Sequence, residues 1–438
     1  MSALAQFARF TGAEVSGSDR FHESPDTADL RGKLLGLGCR IFPQDGSGIT
    51  AGTGAVCVST AIEGDNRDLS AARCLGIPVL HRSDLLAEHI RARRTVAVAG
   101  TSGKSTVTAM VFEFLTAAGR SPSLLSGANL LRLEERGLVG NAFLGESDLL
   151  IVEADESDGT LVRYRPWLSV VLNVSKDHKP VPELVGLFRA LAANSERTIV
   201  NADDPLLADL PAVARFGFGG AADVRPESVE LLPGAVTLTR AGVACRLPIP
   251  GRHNAANLLA ALAVCAELGI GPAEIAGAAA AFHGVARRFG VTRTREGVIV
   301  VDDFAHNPEK IRAAVSAART LSARVIALYQ PHGFGPTRFL RAEYREAFRE
   351  ALGEGDGLCL LPIFYAGGTA VKDISSRDLV EDLGPVPFPA SAPADRDEAL
   401  AWLLPRVRRG DLVLLMGARD PSLAAFARRI VEALGGPA

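Results

Sequence analysis

The feature that most constrains the fold of this chain is the alternation of short apolar runs with Ala- and Leu-rich stretches. The apolar runs include TVAVAG, LLIVEAD, SVVLNV, VIVVDD, RVIALY and DLVLLMG, and a stretch of helical character follows most of them. Because the runs do not alternate with polar residues, they predict strands that are buried on both faces. Such strands, separated by helices, predict an α/β protein whose parallel sheets are covered by helices.

The length of 438 residues is too great for one ordinary hydrophobic core and predicts several domains. We place an N-terminal Rossmann-like domain at residues 1–92, where the helical segment DLLAEHIRARR ends it. A central P-loop ATPase-like domain with a parallel sheet follows at residues 93–292, and it includes a β-rich stretch near residues 225–250. The strand in TREGVIVVDD then opens a C-terminal Rossmann-like domain at residues 293–438.

Charge and composition limit the partners of the chain. With 47 Lys and Arg against 50 Asp and Glu, the formal net charge is −3, which gives no reason to expect nucleic acid or an anionic membrane. The sequence shows neither a membrane-length apolar run nor a signal peptide, and its six cysteines form no metal-ligand spacing and are predicted to be reduced and buried. We expect a cytoplasmic protein, a monomer or homodimer, that acts on small molecules.

The segment VAVAGTSGKSTVTAM has the pattern of a strand, a glycine-containing turn and a helix. Such a turn directs backbone N–H groups inward, so that Lys104 can reach the β and γ phosphates of ATP and Ser105 can hold Mg²⁺. The strict pattern GxxxxGK[ST] is not met, because Val98 replaces its first glycine, and the alternative is an ordinary strand–helix turn. The residues predicted to bind nucleotide here are Gly100, Thr101, Ser102, Gly103, Lys104, Ser105 and Thr106.

Acidic residues follow the next long strand, LLIVEADESD. Carboxylates at the carboxyl end of a parallel strand lie beside the crevice in which ligands bind, and Mg²⁺ prefers such hard oxygen ligands. Glu153 is the preferred metal ligand, with Asp155 and Glu156 close by; the alternative is a solvated acidic loop. His178 ends the following strand, SVVLNVSKDH, and we interpret it as a ligand of a second metal ion or a substrate-orienting group, against the alternative of a structural histidine.

Together these motifs resemble the Mur ligases, the ATP-dependent enzymes that build the peptidoglycan stem peptide. Four further segments carry the resemblance: GRHNAANLLAALAV, FHGVARRFG, VDDFAHNPEKI and SGANL. The resemblance implies that Asn254 and Asn257 lie near adenine. It further implies that Arg287 or Arg288, with Arg288 preferred, contacts the nucleotide together with Asp302, and that His306 lies near the phosphates. It also implies that Asn129 lies near the reacting phosphate.

Segments near the N-terminus, EVSGSD, VSTAIEGDN and GIPVLHRSDLLAE, resemble one branch of the family, that of UDP-N-acetylmuramate–L-alanine ligase and murein tripeptide ligase. Members of this branch begin with a strand and a Gly-rich loop ahead of such a segment, so we expect this first strand and loop, which cradle the uridine nucleotide, to be missing. The residues that the resemblance assigns to substrate are Ser18, Asp19, Ser59, Thr60, Asn129, Asp155, Glu156, His332 and Arg338.

The activity implied by the resemblance is ATP- and Mg²⁺-dependent joining of a carboxylate to an amine through an acyl phosphate, with release of ADP. Lys104, Glu153, His178 and His306 are then the predicted catalytic residues, and Ser105, Glu153 and His178 the predicted metal ligands. The segments YQPHGFGPTRF and LLPIFYAGGTA depart from the alanine ligase pattern, which keeps open another acid and amine pair, such as tripeptide recycling. A non-catalytic nucleotide-binding homologue is the alternative from another class.

Overall fold

The computed structural model describes residues 1–60, 62–176, 179–365 and 371–438. The chain divides into two compact units. The first consists of Met1–Val229, Leu238–Leu247 and Ala255–Ala286, and the second of Glu230–Thr237, Pro248–Asn254 and Arg287–Ala438. Both units contain a largely parallel sheet with helices, which confirms the predicted α/β class. The domain boundaries at residues 92 and 292 stay a prediction.

Short strands and helices alternate through the first unit. Its strands up to residue 216 are β1 (Ser16–Ser18), β2 (Arg40–Phe42), β3 (Val56–Val58), β4 (Val79–His81), β5 (Arg94–Ala99), β6 (Ser123–Leu125), β7 (Ala142–Phe143), β8 (Leu149–Glu153), β9 (Leu168–Val171), β10 (Arg197–Asn201) and β11 (Ala214–Phe216). The α-helices of this stretch are α1 (Ser2–Phe10), α2 (Ala28–Gly36), α3 (Arg67–Cys74), α4 (Arg82–Ala92), α5 (Lys104–Ala117), α6 (Leu131–Glu134) and α7 (Val181–Asn194).

The main sheet of the first unit has seven strands in the order β11–β10–β9–β5–β8–β6–β7. Its strand pairs are parallel except for β6 with β7. Strand β5 lies between β8 and β9, with Val98 opposite Glu153 on one side and Val170 on the other. The loop that leaves β5 therefore emerges beside the carboxyl ends of β8 and β9, where the acidic and Asn-containing segments begin.

A hydrophobic core fixes helices against this sheet. Phe7 of α1, Ile90 of α4 and Phe188 of α7 pack in one cluster with Ala97 and Ala99 of β5. Full burial of each such large apolar side chain contributes about 1.5–3 kcal/mol. Helix α5 is buried along its whole length from residue 105 to residue 115, which explains why its sequence has no polar face. The phosphate-loop helix and the strand before it are therefore rigidly held.

The segment after β11 contains three strands and two helices. Strands β12 (Ser228–Leu232), β13 (Ala235–Arg240) and β14 (Val243–Leu247) form a three-stranded sheet, followed by helices α8 (Arg252–Glu267) and α9 (Pro272–Ala280). This sheet confirms the β-rich stretch predicted near residues 225–250. Two parallel pairs, β1 with β2 and β3 with β4, complete the sheets that precede it.

The second unit is built around a six-stranded sheet in the order β15–β16–β20–β17–β18–β19. Only the pair of β15 and β16 is antiparallel. Its strands are β15 (Gly290–Arg293), β16 (Ile299–Asp303), β17 (Val325–Gln330), β18 (Gly357–Leu360), β19 (Ala390–Ser391) and β20 (Leu412–Gly417). Its helices are α10 (Pro308–Arg319), α11 (Phe334–Phe339), α12 (Arg341–Ala351), α13 (Ser376–Asp382), α14 (Arg396–Leu403) and α15 (Leu423–Ala433). Buried apolar clusters cover both faces of the sheet.

Two predictions about individual residues were wrong. The helix predicted through Arg94 ends at Ala92, because Arg94 begins β5 and places its guanidinium 3.8 Å from the centroid of the Trp167 ring. Cys74, predicted to be buried, is exposed at the end of α3, and Cys57 is only half-buried.

None of the helices in the described part of the chain is both long and apolar enough to cross a membrane.

Candidate active site

The turn between β5 and α5 has the backbone geometry of a phosphate loop. Gly100 and Gly103 adopt φ values of +138° and +86°, which side-chain-bearing residues rarely reach. A Cβ at Gly100 would lie 2.9 Å from the Cβ of Leu172, and one at Gly103 would lie 2.4 Å from Oδ1 of Asn257. Both positions therefore require glycine, and the turn leads directly into the N-terminus of α5, where helix N–H groups favour an anion.

The side chain of Asn173, just beyond β9, holds this loop from the neighbouring strand. Its Oδ1 accepts hydrogen bonds from the Thr101 hydroxyl at 2.9 Å and the Ser102 N–H at 2.8 Å, while its Nδ2 donates to the Ser102 carbonyl at 3.0 Å. The Thr101 hydroxyl also accepts from the N–H of Ser175 at 3.0 Å. Asn173 lies within the segment SVVLNVSKDH but was not among the predicted site residues. Its position just after the strand that pairs with β5 is the signal that could have identified it.

Lys104 begins α5 and faces carboxylates. Its Nζ donates to the Gly100 carbonyl at 2.8 Å and to Oε2 of Glu156 at 2.6 Å, and lies 3.9 Å from Oδ1 of Asp155. Burial, the largest influence, lowers the pKa of Lys104, but Glu156, Asp155 and Glu153 outweigh it and hold this pKa above its ordinary value. Lys104 is therefore a cation at neutral pH, held beside the phosphate loop by the acidic segment that sequence reasoning placed there.

The carboxylate of Glu153, at the end of β8, is held by three donors. Oε1 accepts from the Ser105 hydroxyl at 2.9 Å, and Oε2 accepts from the Ser126 hydroxyl at 3.1 Å and the Gly127 N–H at 2.8 Å. The hydroxyl and carboxylate oxygens of Ser105 and Glu153 are hard donors that suit Mg²⁺, which is commonly held by one or two carboxylates together with phosphates. Among the described residues, no three His, Cys, Asp or Glu side chains gather as a metal cluster.

His178, the other predicted metal ligand, lies outside the described residues, so its place in the site stays a prediction. Thr106 is buried in the first turn of α5, and Asn257 lies against Gly103, so both lie at the phosphate loop. The Nδ2 of Asn129 donates to Oε1 of Glu134 at 2.7 Å, and its carbonyl accepts from the N–H of Ala286 at 2.9 Å.

The residues predicted for the acid substrate near the N-terminus lie at the ends of two short strands. Ser18 ends β1 and donates to the buried carboxylate of Asp68, whose Oδ1 also accepts from the N–H of Gly46 at 2.8 Å. Oδ1 of Asp19 accepts from the N–H of Phe21 at 2.7 Å. Ser59 and Thr60 lie just beyond the end of β3. These four residues thus lie where their parallel strands end, which is a usual position for ligand contacts.

In the second unit, Asp302 is the penultimate residue of β16 and lies beside an arginine. Nε of Arg287 lies 3.2 Å from Oδ1 of Asp302, and its Nη2 donates to the Gly417 carbonyl at 2.7 Å. Burial raises the pKa of Asp302 above its ordinary value although Arg287 lowers it. Both guanidinium groups lie over the Phe304 ring, that of Arg287 at 5.4 Å and that of Arg288 at 4.7 Å from its centroid. Of the two arginines predicted to approach the nucleotide, Arg287 is therefore the one that pairs with Asp302.

His306 and His332, predicted separately, come together in this unit with their ring centroids 5.3 Å apart. The Nδ1 of His306 lies 2.9 Å from the Phe304 carbonyl, and the carbonyl of His306 accepts from the hydroxyls of Tyr329 at 3.0 Å and Tyr344 at 2.9 Å. Both histidines are buried.

Two other predicted residues of the second unit, Arg338 and Asn254, have partners within that unit. Arg338 pairs with the carboxylate of Asp373. The Nδ2 of Asn254 donates to the Pro250 carbonyl at 2.7 Å.

Comparisons with known proteins give this site its context. Three family models match in succession: the Mur ligase family catalytic domain at residues 1–94, the Mur ligase middle domain at residues 98–265 and the Mur ligase glutamate ligase domain at residues 287–419. UDP-N-acetylmuramate–L-alanine ligase of Paenarthrobacter aurescens (strain TC1) is 38% identical, and the match covers 100% of this chain and 95% of that protein. This chain belongs to the Mur ligase family.

Other relatives agree with this assignment. The UDP-N-acetylmuramate–L-alanine ligase of Arthrobacter sp. (strain FB24) is 39% identical over 86% of this chain and 82% of its own length. The crystal structure of UDP-N-acetylmuramate-alanine ligase from Thermotoga maritima superposes with a TM-score of 0.79 at 25% identity, over 99% of this chain and 96% of that one. A murein peptide ligase from Psychrobacter arcticus 273-4 shares the fold, with a TM-score of 0.72 at 19% identity over 100% of this chain and 97% of that one.

The family assignment confirms the predicted class of activity. As a Mur ligase, the chain is an ATP-dependent ligase that acts on small-molecule substrates in peptidoglycan biosynthesis.

Proposed function

We propose that this chain joins the carboxylate of UDP-N-acetylmuramate to the amine of L-alanine in the cytoplasm, using ATP and Mg²⁺. The observation that supports the site of reaction is the contact between the start of α5 and the acidic segment at the end of β8. Ser105 donates to Glu153 there, and Lys104 donates to Glu156. The names of the relatives that are 38% and 39% identical support this pair of substrates.

The loop from Gly100 to Thr106 binds the triphosphate through its backbone N–H groups. Lys104 remains protonated and offsets negative charge on the β and γ phosphates, so the γ-phosphoryl group can approach an anionic carboxylate. A carboxylate oxygen of the acid substrate then attacks the γ-phosphorus, the bond from that phosphorus to the β–γ bridging oxygen breaks, and ADP leaves. Positioning and charge neutralisation supply most of this acceleration.

Ser105 and Glu153 would hold Mg²⁺, with His178 as a further predicted ligand. When bound, the ion supplies additional positive charge at the phosphate oxygens. Ser126 and the Gly127 N–H fix the second oxygen of Glu153, so the carboxylate is already oriented by the protein. Such outer partners commonly orient a ligand and strengthen its binding.

The acyl phosphate then reacts with the amine. A carbon–nitrogen bond forms at the carbonyl carbon, the bond from that carbon to the phosphate oxygen breaks, and the nitrogen loses a proton to solvent. Arg288, Asp302 and His306 are proposed nucleotide contacts of the second unit, and Asn254 and Asn257 proposed adenine contacts. Ser18, Asp19, Ser59, Thr60 and Asn129 are proposed to face the acid, and His332 and Arg338 the amine.

The test is an ADP-release assay with the full chain, ATP and Mg²⁺, in which UDP-N-acetylmuramate or L-alanine is omitted in turn. We expect ADP release over many turnovers only when both are present, at most one equivalent of ADP per chain when L-alanine is omitted, and none from Lys104→Ala. Release of ADP with the murein tripeptide and not with L-alanine would show that the amine substrate is the peptide, and the function would then be peptide recycling. ADP release that needs neither acid nor amine would contradict the ligase reaction.

A further inference from the structure

An ionic connection joins the N-terminal segment to the phosphate loop through Arg82. Its Nη2 donates to Oδ2 of Asp158 at 2.7 Å and lies 3.6 Å from Oδ2 of Asp155. The other oxygen of Asp155 lies 3.9 Å from Nζ of Lys104. Asp155 thus stands between two cations, Arg82 on one side and Lys104 on the other.

The position of Arg82 is fixed by the fold. It is the first residue of α4, directly after β4, and His81 caps this helix in a reciprocal pair with Asp84. Helix α4 packs through Ala87 and Ile90 against the core that contains Ala97 and Ala99 of β5. The guanidinium is therefore presented from a rigid strand–helix junction that is anchored on the same strand as the phosphate loop.

Charge balance makes this contact important for Lys104. Asp158 is buried, with only 4% of its side chain exposed, and its Oδ1 accepts from the N–H of Thr160 at 3.1 Å. Four carboxylates of this segment, Glu153, Asp155, Glu156 and Asp158, are set against the cations Lys104 and Arg82. Without Arg82, Asp158 would lose its paired cation, and Lys104 would be the cation left beside Asp155 among the residues that the structure describes.

We propose that Arg82 is a positioning residue for Lys104: by neutralising Asp158 and Asp155 it keeps the lysine available to the triphosphate of ATP. This role goes beyond the ligase reaction and rests on the proposed binding of ATP at the loop from Gly100 to Thr106. It makes the affinity of that loop for ATP depend on a residue of the N-terminal segment.

The test measures binding of the Mg²⁺ complex of a non-hydrolysable ATP analogue to the full chain by calorimetry, so it needs neither the acid nor the amine. We expect Arg82→Met to weaken binding of the analogue about tenfold. This follows from the Coulomb energy lost when one cation within about 10 Å of a polyanion is removed, at an effective dielectric constant of about 20. Arg82→Lys, which keeps the charge, should weaken binding by less than about threefold.

A charge-specific comparison separates this role from damage to the fold. Adding Asp158→Asn to Arg82→Met removes the uncompensated carboxylate and should recover part of the lost affinity, whereas general destabilisation would be made worse. Arg163→Met is the matched control, because Arg163 pairs with Asp84 of the same helix but forms no ion pair with the carboxylates beside Lys104. Its affinity for the analogue should remain within twofold of the unchanged chain.

Three results would overturn the inference. If Arg82→Met binds the analogue as tightly as the unchanged chain while Lys104→Ala binds it weakly, Arg82 has no positioning role and the ATP site stands. If Lys104→Ala also binds normally, the proposed ATP site fails and the role of Arg82 fails with it. Equal losses in Arg82→Met and Arg163→Met would likewise contradict the proposal, because they would indicate helix docking alone.

Discussion

Replacing Asn173 by Ala removes the side chain that braces the phosphate loop from β9. The change deletes three hydrogen bonds, to the Thr101 hydroxyl, the Ser102 N–H and the Ser102 carbonyl. No core packing is lost with them, because Asn173 is only half-buried and its side chain is polar. The variant therefore tests loop order with little change elsewhere.

The size of the effect follows from these contacts. Each hydrogen bond contributes about 0.5–1.5 kcal/mol net, so loss of the brace removes roughly 1.5–4.5 kcal/mol. About 1.4 kcal/mol corresponds to a tenfold change in a dissociation constant. If half of the lost free energy appears in nucleotide binding, the dissociation constant of ATP rises by about 3- to 40-fold. The remainder should lower the free energy of unfolding by about 1–2 kcal/mol.

Calorimetry with a non-hydrolysable ATP analogue and urea unfolding measure the two parts separately. Asn194→Ala is the matched control: Asn194 donates to the Val162 carbonyl at 2.9 Å and accepts from Arg165 at 3.1 Å, and neither bond involves the phosphate loop. It should leave analogue binding unchanged. If Asn173→Ala binds the analogue as tightly as the unchanged chain, the loop does not depend on this brace and the reasoning is refuted.

Two further predictions concern buried groups outside the reaction. Burial raises the pKa of Glu113, although the hydrogen bond with His283 opposes this shift. A carboxyl whose pKa is raised in the folded state stabilises the fold most below its unfolded pKa, which is about 4.3. This contribution to stability is lost as the pH rises through the pKa of the folded state. The unfolding free energy of the unchanged chain minus that of Glu113→Gln should therefore fall as urea titrations move from pH 4.5 to 7, and a flat difference would contradict this. In thiol labelling with a disulfide reagent at pH 8, exposed Cys74 should react first, while Cys265 and Cys359, whose pKa burial raises to about 12, should react only on unfolding. Rapid labelling of either buried thiol would show that the core around it opens.

Features that depend on local sequence could be predicted. The apolar runs identified strands because burial on both faces leaves a continuous apolar pattern, and Gly100 and Gly103 identified the loop because its backbone requires positive φ. The acidic segment lies beside the loop because β8 ends next to β5, and the apolar run before Glu153 makes that strand end visible in the sequence.

Features that depend on tertiary pairing could not be predicted. Asn173 reaches Ser102 only because β9 pairs with β5, and Arg82 reaches Asp158 only because α4 docks beside the acidic segment. The residues after Glu153 form an irregular loop, in which the sequence does not determine the direction of each side chain. It therefore could not show that Glu156, rather than Asp155, makes the shorter contact with Lys104. The exposure of Cys74 likewise depends on which face of α3 packs inward.

The formation of an acyl phosphate is tested most directly by following oxygen. UDP-N-acetylmuramate labelled with ¹⁸O in both carboxylate oxygens is incubated with the full chain, ATP, Mg²⁺ and L-alanine, and the released phosphate is analysed by mass spectrometry. If the carboxylate attacks the γ-phosphorus, each phosphate carries one ¹⁸O atom from the acid. Unlabelled phosphate released together with amide product would show that the carboxylate is never phosphorylated and would contradict the proposed mechanism.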